Sequence, residues 1–172
     1  MLSRVADSLY WMSRYLERAE HTARVMEVQY NLMLEVSPES EGHRWLRVVR
    51  SLGVKDPALD ENSARALAHS LASDPSSRAS IVHSIMSARE NARQVREQIS
   101  SEMWQQLNRL FLEVRRAGIE DLWEQGPVDF LQAIREGSHM FQGITDSTMA
   151  HSEGWHFIRW GVLSSGPASC LR

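Results

Sequence analysis

Tyr10, Arg14, Glu17, His21 and Arg24 recur at spacings of four, three, four and three, with Trp11 and Arg18 beside them. That period sets them on one face of a helix. A carboxyl and an imidazole can move protons, and guanidinium groups grip carboxylates or phosphates through paired hydrogen bonds. The same set can instead form a wet face of i,i+4 ion pairs, each worth about 0.5 kcal/mol or less. Tyr and Trp among Arg and Glu also suit a face that meets another helix or a ligand.

A second stripe lies in SARENARQVRE, where Arg89, Arg93 and Arg96 are flanked by Glu90, Asn91 and Glu97. Should the stripes meet, Glu17 is expected to pair with Arg89 or Arg93, and Arg18 with Glu90. That makes a structural ion network; the other reading of the same residues is an anion site. Glu136 and His139 have Glu-x-x-His spacing, as do Glu153 and His156. Di-metal helical bundles use such pairs together with two further glutamates. Glu136 and His139 fall off the apolar seam around them, and Gly137 and Gly154 interrupt the two motifs, so no metal site and no cofactor are expected. No His-Glu-x-x-His, Walker loop, Gly-x-Ser-x-Gly or paired-cysteine motif occurs.

The elements carrying these stripes read as helices nearly throughout. Val5, Leu9, Met12, Leu16, Ala19, Ala23, Met26, Tyr30 and Met33 alternate spacings of four and three. This heptad seam predicts one long helix, about 50 Å at 1.5 Å per residue, ending near Ser37-Pro38. Trp45 to Leu52 predicts a short helix stopped by Gly53. Asn62 or Ser63 is expected to cap the next, which carries Leu67 and Leu71, and Ser73 to Ser77 a turn. A second seam runs Ile81, Ile85, Ala88, Ala92, Val95 and Ile99, with a break at Ser100 to Glu102. Trp104, Leu107, Leu110, Phe111 and Val114 continue to Gly118, and Pro127 opens a helix through Phe130, Ile134, Phe141 and Ile144. The fold class is all-α, a single domain of long antiparallel helices in a bundle.

A chain of 172 residues with net charge −3 argues against a general nucleic-acid binder. No apolar run is long enough to span a bilayer. One cysteine, Cys170, forms no internal disulfide, and acid and Arg come too early in MLSRVADSLYW for a signal peptide. A cytoplasmic location is expected. Lys55 is the only lysine among 19 basic residues, a bias that fits a GC-rich genome.

LSRVADSLYWMSRYLERAEHTARV closely resembles the opening of the alpha-E domain family, a bacterial all-helical family named for a Glu-Arg motif. Here that motif is Glu17-Arg18. SARENARQVREQISSEMWQQLNRL resembles its central motif and SHMFQGITDSTMAHSEGWHFIRWG a third. The resemblance runs from Leu2 to about Gly161, making 1–161 an alpha-E-like domain and 162–172 a tail outside it.

The resemblance implies that a second Leu-Glu-Arg-Ala should follow the Trp-x-Phe segment, where Ser164, Ser165, Gly166 and Pro167 stand. Placing Phe157 on Leu9 and Gly161 on Ser13 sets these four on Leu16 to Ala19. GC-rich codons for Ser-Ser-Gly-Pro, read one base earlier, spell Leu-Glu-Arg-Ala. A frameshift near Arg159 or Trp160 is expected, the alternative being a short member with a frayed end. A truncated domain would expose apolar helical seams and favour oligomers.

Alpha-E proteins accompany ATP-grasp proteins that look like amide or peptide ligases, and transglutaminase-like peptidases. The resemblance therefore implies a non-catalytic helical partner in a peptide-ligation or peptide-modification system. The Glu17/Arg18 face and the Arg89/Arg93 stripe would dock the ligase or hold an acidic peptide. The alternative is an enzyme acting on the ligase product with Glu17 as acid/base.

Overall fold

Leu9, Met12, Leu16, Ala19, Ala23 and Met26, six residues of the first seam, are each at most 2% exposed. They line one side of α1 (Ser3–Met33), which is about 46 Å long at 1.5 Å per residue. The computed structural model describes residues 3–33, 41–52, 60–120 and 127–163. The expected stops at Ser37-Pro38 and Gly53, and the tail from Ser164 with Cys170, lie outside these residues. Among the described residues six more helices follow: α2 (Glu41–Ser51), α3 (Glu61–Ser73), α4 (Ile81–Gln94), α5 (Ser101–Glu120), α6 (Pro127–Thr148) and α7 (Glu153–Leu163). Among the described residues there is no strand, so the fold is all-α.

α1 is the hub, packed mainly against α4, α6 and α7, and more lightly against α2 and α3. α2 seats Trp45, Val48 and Val49 in the core, and Tyr30 of α1 meets the Trp45 ring edge-on at 5.2 Å. α3 is capped by Asp60, whose carboxylate accepts from Ser63 N at 2.7 Å. The cap therefore lies ahead of the Asn62 or Ser63 expected, because the carboxylate reaches a backbone N–H that the helix leaves unpaired. In the α3–α4 turn, Asp74 accepts from Ser76 N and Oγ at 2.8 and 2.7 Å. These bonds hold its carboxyl below the usual range. Ser80, fully buried, caps α4 by accepting from His83 N at 3.0 Å.

The second seam stays buried along its whole length, but its helix does not run that far. α4 ends at Gln94, and Arg96–Gln98 tighten into a 3-10 turn. Val95 and Ile99 remain inward across the break, at 3% and 7% exposed. Ser100 then starts α5, its Oγ accepting from Met103 N at 3.1 Å. α5 packs on α4 and α6 through Met103, Leu107, Leu110 and Val114. α5 and α6 run antiparallel: Gln106 Nε2 donates to the Gly137 carbonyl at 2.9 Å, and Thr148 Oγ1 to Ser100 Oγ at 2.9 Å. No described helix is long and apolar enough to cross a membrane.

Candidate functional site: the two faces of the Glu-Arg pair

As the hub, α1 is covered on a second side that the apolar seam does not announce. Ser13, Glu20 and Glu27 recur every seven residues and face α6 and α7. Ser13 Oγ donates to the Ile158 carbonyl at 2.8 Å, with the Tyr10 carbonyl 3.0 Å away. Gly161 sits over this bond. A Cβ there would lie against Ser13 Oγ, 2.6 Å from the Tyr10 carbonyl oxygen and 3.2 Å from Arg14 N. Only glycine allows α7 to cross α1 this closely.

Farther along, Glu20 has 7% of its side chain exposed and meets two nitrogen side chains. Arg24 donates to it from one turn on, and His139 Nε2 of α6 lies 3.3 Å from Oε1. Glu27 faces Arg135 of α6 at 3.2 Å. The pairings 20 with 139 and 27 with 135 set α6 antiparallel to α1.

Glu17 and Arg18 separate here. Arg14 Nη1 donates to Glu17 Oε2 at 2.9 Å, with side chains 9% and 16% exposed. Glu17 lines a narrow cleft between α1, α6 and α7, beside Gln142, Asp146 and Arg159, whose free space of about 10 Å³ suits one water. Burial pushes the Glu17 carboxyl above its usual range and outweighs the pull of Arg14 in the other direction. Arg18 turns the other way. Its guanidinium lies over the Tyr15 ring at 5.5 Å, and Trp11 packs on the same ring at 5.6 Å. Trp11 is 37% exposed, meets Tyr10 edge-on at 5.3 Å, and donates from Nε1 to Asp7 at 3.1 Å. Trp11, Tyr15 and Arg18 thus form a surface ladder along α1. His21 is exposed.

The expected pairs between the two stripes do not form. Glu17 binds Arg14, and Glu90 binds Arg93 at 2.6 Å on the surface of α4. Asn91 Nδ2 donates to the Ser87 carbonyl at 2.8 Å. The reason is geometric: an i,i+3 partner on the same helix is always in reach, whereas a partner on another helix needs the right rotation.

Arg89 points to α5 rather than α1. Its Nε donates to Asn108 Oδ1 at 2.7 Å, and its guanidinium lies 4.5 Å from the Phe111 ring centroid and 5.3 Å from that of Trp104. Arg96 lies over the Trp104 ring at 5.8 Å and Arg115 over the Phe111 ring at 5.6 Å. Arg89 and Arg96 belong to the stripe visible in the sequence; Arg115 and both rings do not. Trp104 and Phe111 share the α5 period with Leu107 and Val114, which predicts core positions, yet both are only half-buried.

The Glu-x-x-His pairs do not converge. Glu136 accepts from Gln132 at 2.7 Å, while His139 reaches Glu20. His156 is exposed and meets Trp155 edge-on. Among the described residues, no three His, Cys, Asp or Glu side chains approach as a metal set.

No curated protein and no solved structure matches this chain. One family does, described as a predicted alpha-helical domain with a conserved ER motif, over residues 1–163. Glu17-Arg18 is the only Glu-Arg dipeptide in the 172 residues, so the motif of that description falls where α1 divides its contacts between a buried seam and an exposed ladder. The chain belongs to the Alpha-E family.

Proposed function

We propose that this protein is a non-catalytic helical partner of an ATP-grasp amide or peptide ligase-like protein, in a system that also uses a transglutaminase-like peptidase. The observation that carries the reading is the ladder of Trp11, Tyr15 and Arg18 on the surface of α1. Half-exposed aromatic rings with an arginine among them are the residue types that anchor protein interfaces. The inward half of the motif has a structural role, since Glu17 and Arg14 are paired in a seam with room for about one water, not for a substrate.

The raised pKa of Glu17 favours one second reading, an enzyme that uses this carboxyl as acid/base on the ligase product. The two differ in which residue of the pair matters. Co-purification of the chain with an ATP-grasp ligase-like protein co-expressed from the same genome separates them. In the partner reading, Arg18→Ala and Trp11→Ala abolish co-purification and Glu17→Gln does not. Retained co-purification in both ladder variants, with processing of the ligase product lost in Glu17→Gln, selects the enzyme.

A further inference from the structure

Three guanidinium groups and two aromatic rings alternate across the outer face of α4 and α5, in the order Arg96, Trp104, Arg89, Phe111, Arg115. Each ring has two guanidinium groups over it. Among the described residues none of the three arginines makes an ion pair. Arg89 gives its Nε to a neutral amide, Asn108, and Arg96 donates to the Ile99 carbonyl at 3.4 Å. Elsewhere arginines of this chain lie against carboxylates: Arg14 on Glu17, Arg24 on Glu20, Arg93 on Glu90 and Arg135 on Glu27. The α4/α5 face therefore holds three guanidinium groups over aromatic rings, none within salt-bridge distance of a described carboxylate, with Glu90 near enough to Arg89 to feel its charge.

We propose that this ladder binds an acidic segment of another polypeptide, with its carboxylates on the arginine forks. Stacking fixes each guanidinium plane and lowers the entropy lost when a carboxylate is gripped. An open groove beside it, bordered by Trp104, Asn108, Arg109, Leu112, Glu113 and Arg116, has a mainly apolar floor with one carboxylate at its rim, and Leu112 is 63% exposed. Carboxylates with apolar side chains between them match that mixture. A nucleic acid fits less well. Both rings already carry guanidinium groups that a stacking base would have to displace or share, and the chain carries net charge −3. This inference stands apart from the α1 ladder and from the identity of any ligase.

The test is fluorescence anisotropy of the full chain with a labelled decaglutamate peptide, a Gly-Ser peptide of equal length and a ten-residue oligothymidylate. Decaglutamate should bind with an affinity that falls as salt rises, and the Gly-Ser peptide should not bind. Arg115→Glu, at an exposed position, should weaken binding tenfold or more. Arg50→Glu, the same charge change at an exposed position on α2, should leave it within twofold. Absence of decaglutamate binding to the folded chain would overturn the proposal. So would equal losses in Arg115→Glu and Arg50→Glu, which mean general charge attraction. Tighter binding of oligothymidylate would reassign the face to nucleic acid.

Discussion

Glu17 and Arg18 are consecutive, yet they serve different sides of α1: Glu17 is tied to Arg14 in the seam under α6 and α7, and Arg18 lies on the Tyr15 ring at the surface. At 3.6 residues per turn, neighbours on a helix point about 100° apart, so a dipeptide at the edge of a buried face is split between packing and solvent. The pair therefore joins two jobs on one turn of helix, and variants of its two members should fail in different assays.

Glu17→Gln should show a pH signature. Burial raises the folded-state pKa of Glu17 above the ordinary glutamate value of 4.5. Between the unfolded and folded values the folded chain binds more protons, so stability from this group is full below that window and is lost as pH rises through it. The stability of Glu17→Gln minus that of the parent should therefore increase from about pH 4 to about pH 7. Urea denaturation of both proteins across that range checks it. A difference that decreases with pH would mean that the Arg14 pair outweighs burial.

Gly161→Ala should destabilise the crossing of α1 and α7. The added methyl meets Ser13 Oγ and the Tyr10 carbonyl, both held by α1 itself, so the helices must part and the Ser13 bond to Ile158 must lengthen. Overpacking of this kind costs about 1–3 kcal/mol, read as a lower midpoint in thermal or urea melts. Ser13→Ala in the same background should recover part of the loss. No recovery would place the clash elsewhere.

Glu20 predicts an asymmetry. Its carboxylate is buried, while Arg24 and His139 are 54% and 52% exposed. Glu20→Gln leaves Arg24 and His139 where water can reach both, and should cost about 1 kcal/mol. Removing both Arg24 and His139 leaves a buried carboxylate without its partners, and should cost about 3 kcal/mol. Denaturant melts of the two variants decide the order; the reverse order would show that the partners, not the carboxylate, carry the burial cost.

Arg89→Lys should also be costly despite the retained charge. Lysine has no Nε–H for Asn108 and no plane to stack between Phe111 and Trp104. A loss of about 1–2 kcal/mol is expected, measured by melting. A variant as stable as the parent would show that the stacking is incidental.

The apolar seams are legible in the sequence because one sort of residue repeats at one period: Leu9 to Met26 and Ile81 to Ile99 are the core that their spacing foretells. The second buried side of α1 is not. Ser13, Glu20 and Glu27 keep a seven-residue period, but polar residues at that spacing look like a wet face until α6 supplies His139 and Arg135. Gly161, in the sequence only the limit of the family resemblance, is a contact point between α7 and α1. The partners expected for Glu17 and Arg89 are wrong because the rotation of α4 about its axis turns Arg89 to α5, and a stripe alone does not encode that rotation. The aromatic partners of the arginines are hidden for the opposite reason. Trp104 and Phe111 obey the apolar period of α5 and still reach the surface.

The proposed division of labour across the Glu17-Arg18 pair is tested most directly by titration calorimetry of an ATP-grasp ligase-like protein, the class of partner proposed for it, into the parent chain, Glu17→Gln and Arg18→Ala, with melting points for all three. Binding is expected for the parent and for Glu17→Gln, with its loss in Arg18→Ala at an unchanged melting point. Full binding by Arg18→Ala, or its loss in a stably folded Glu17→Gln, would contradict that division.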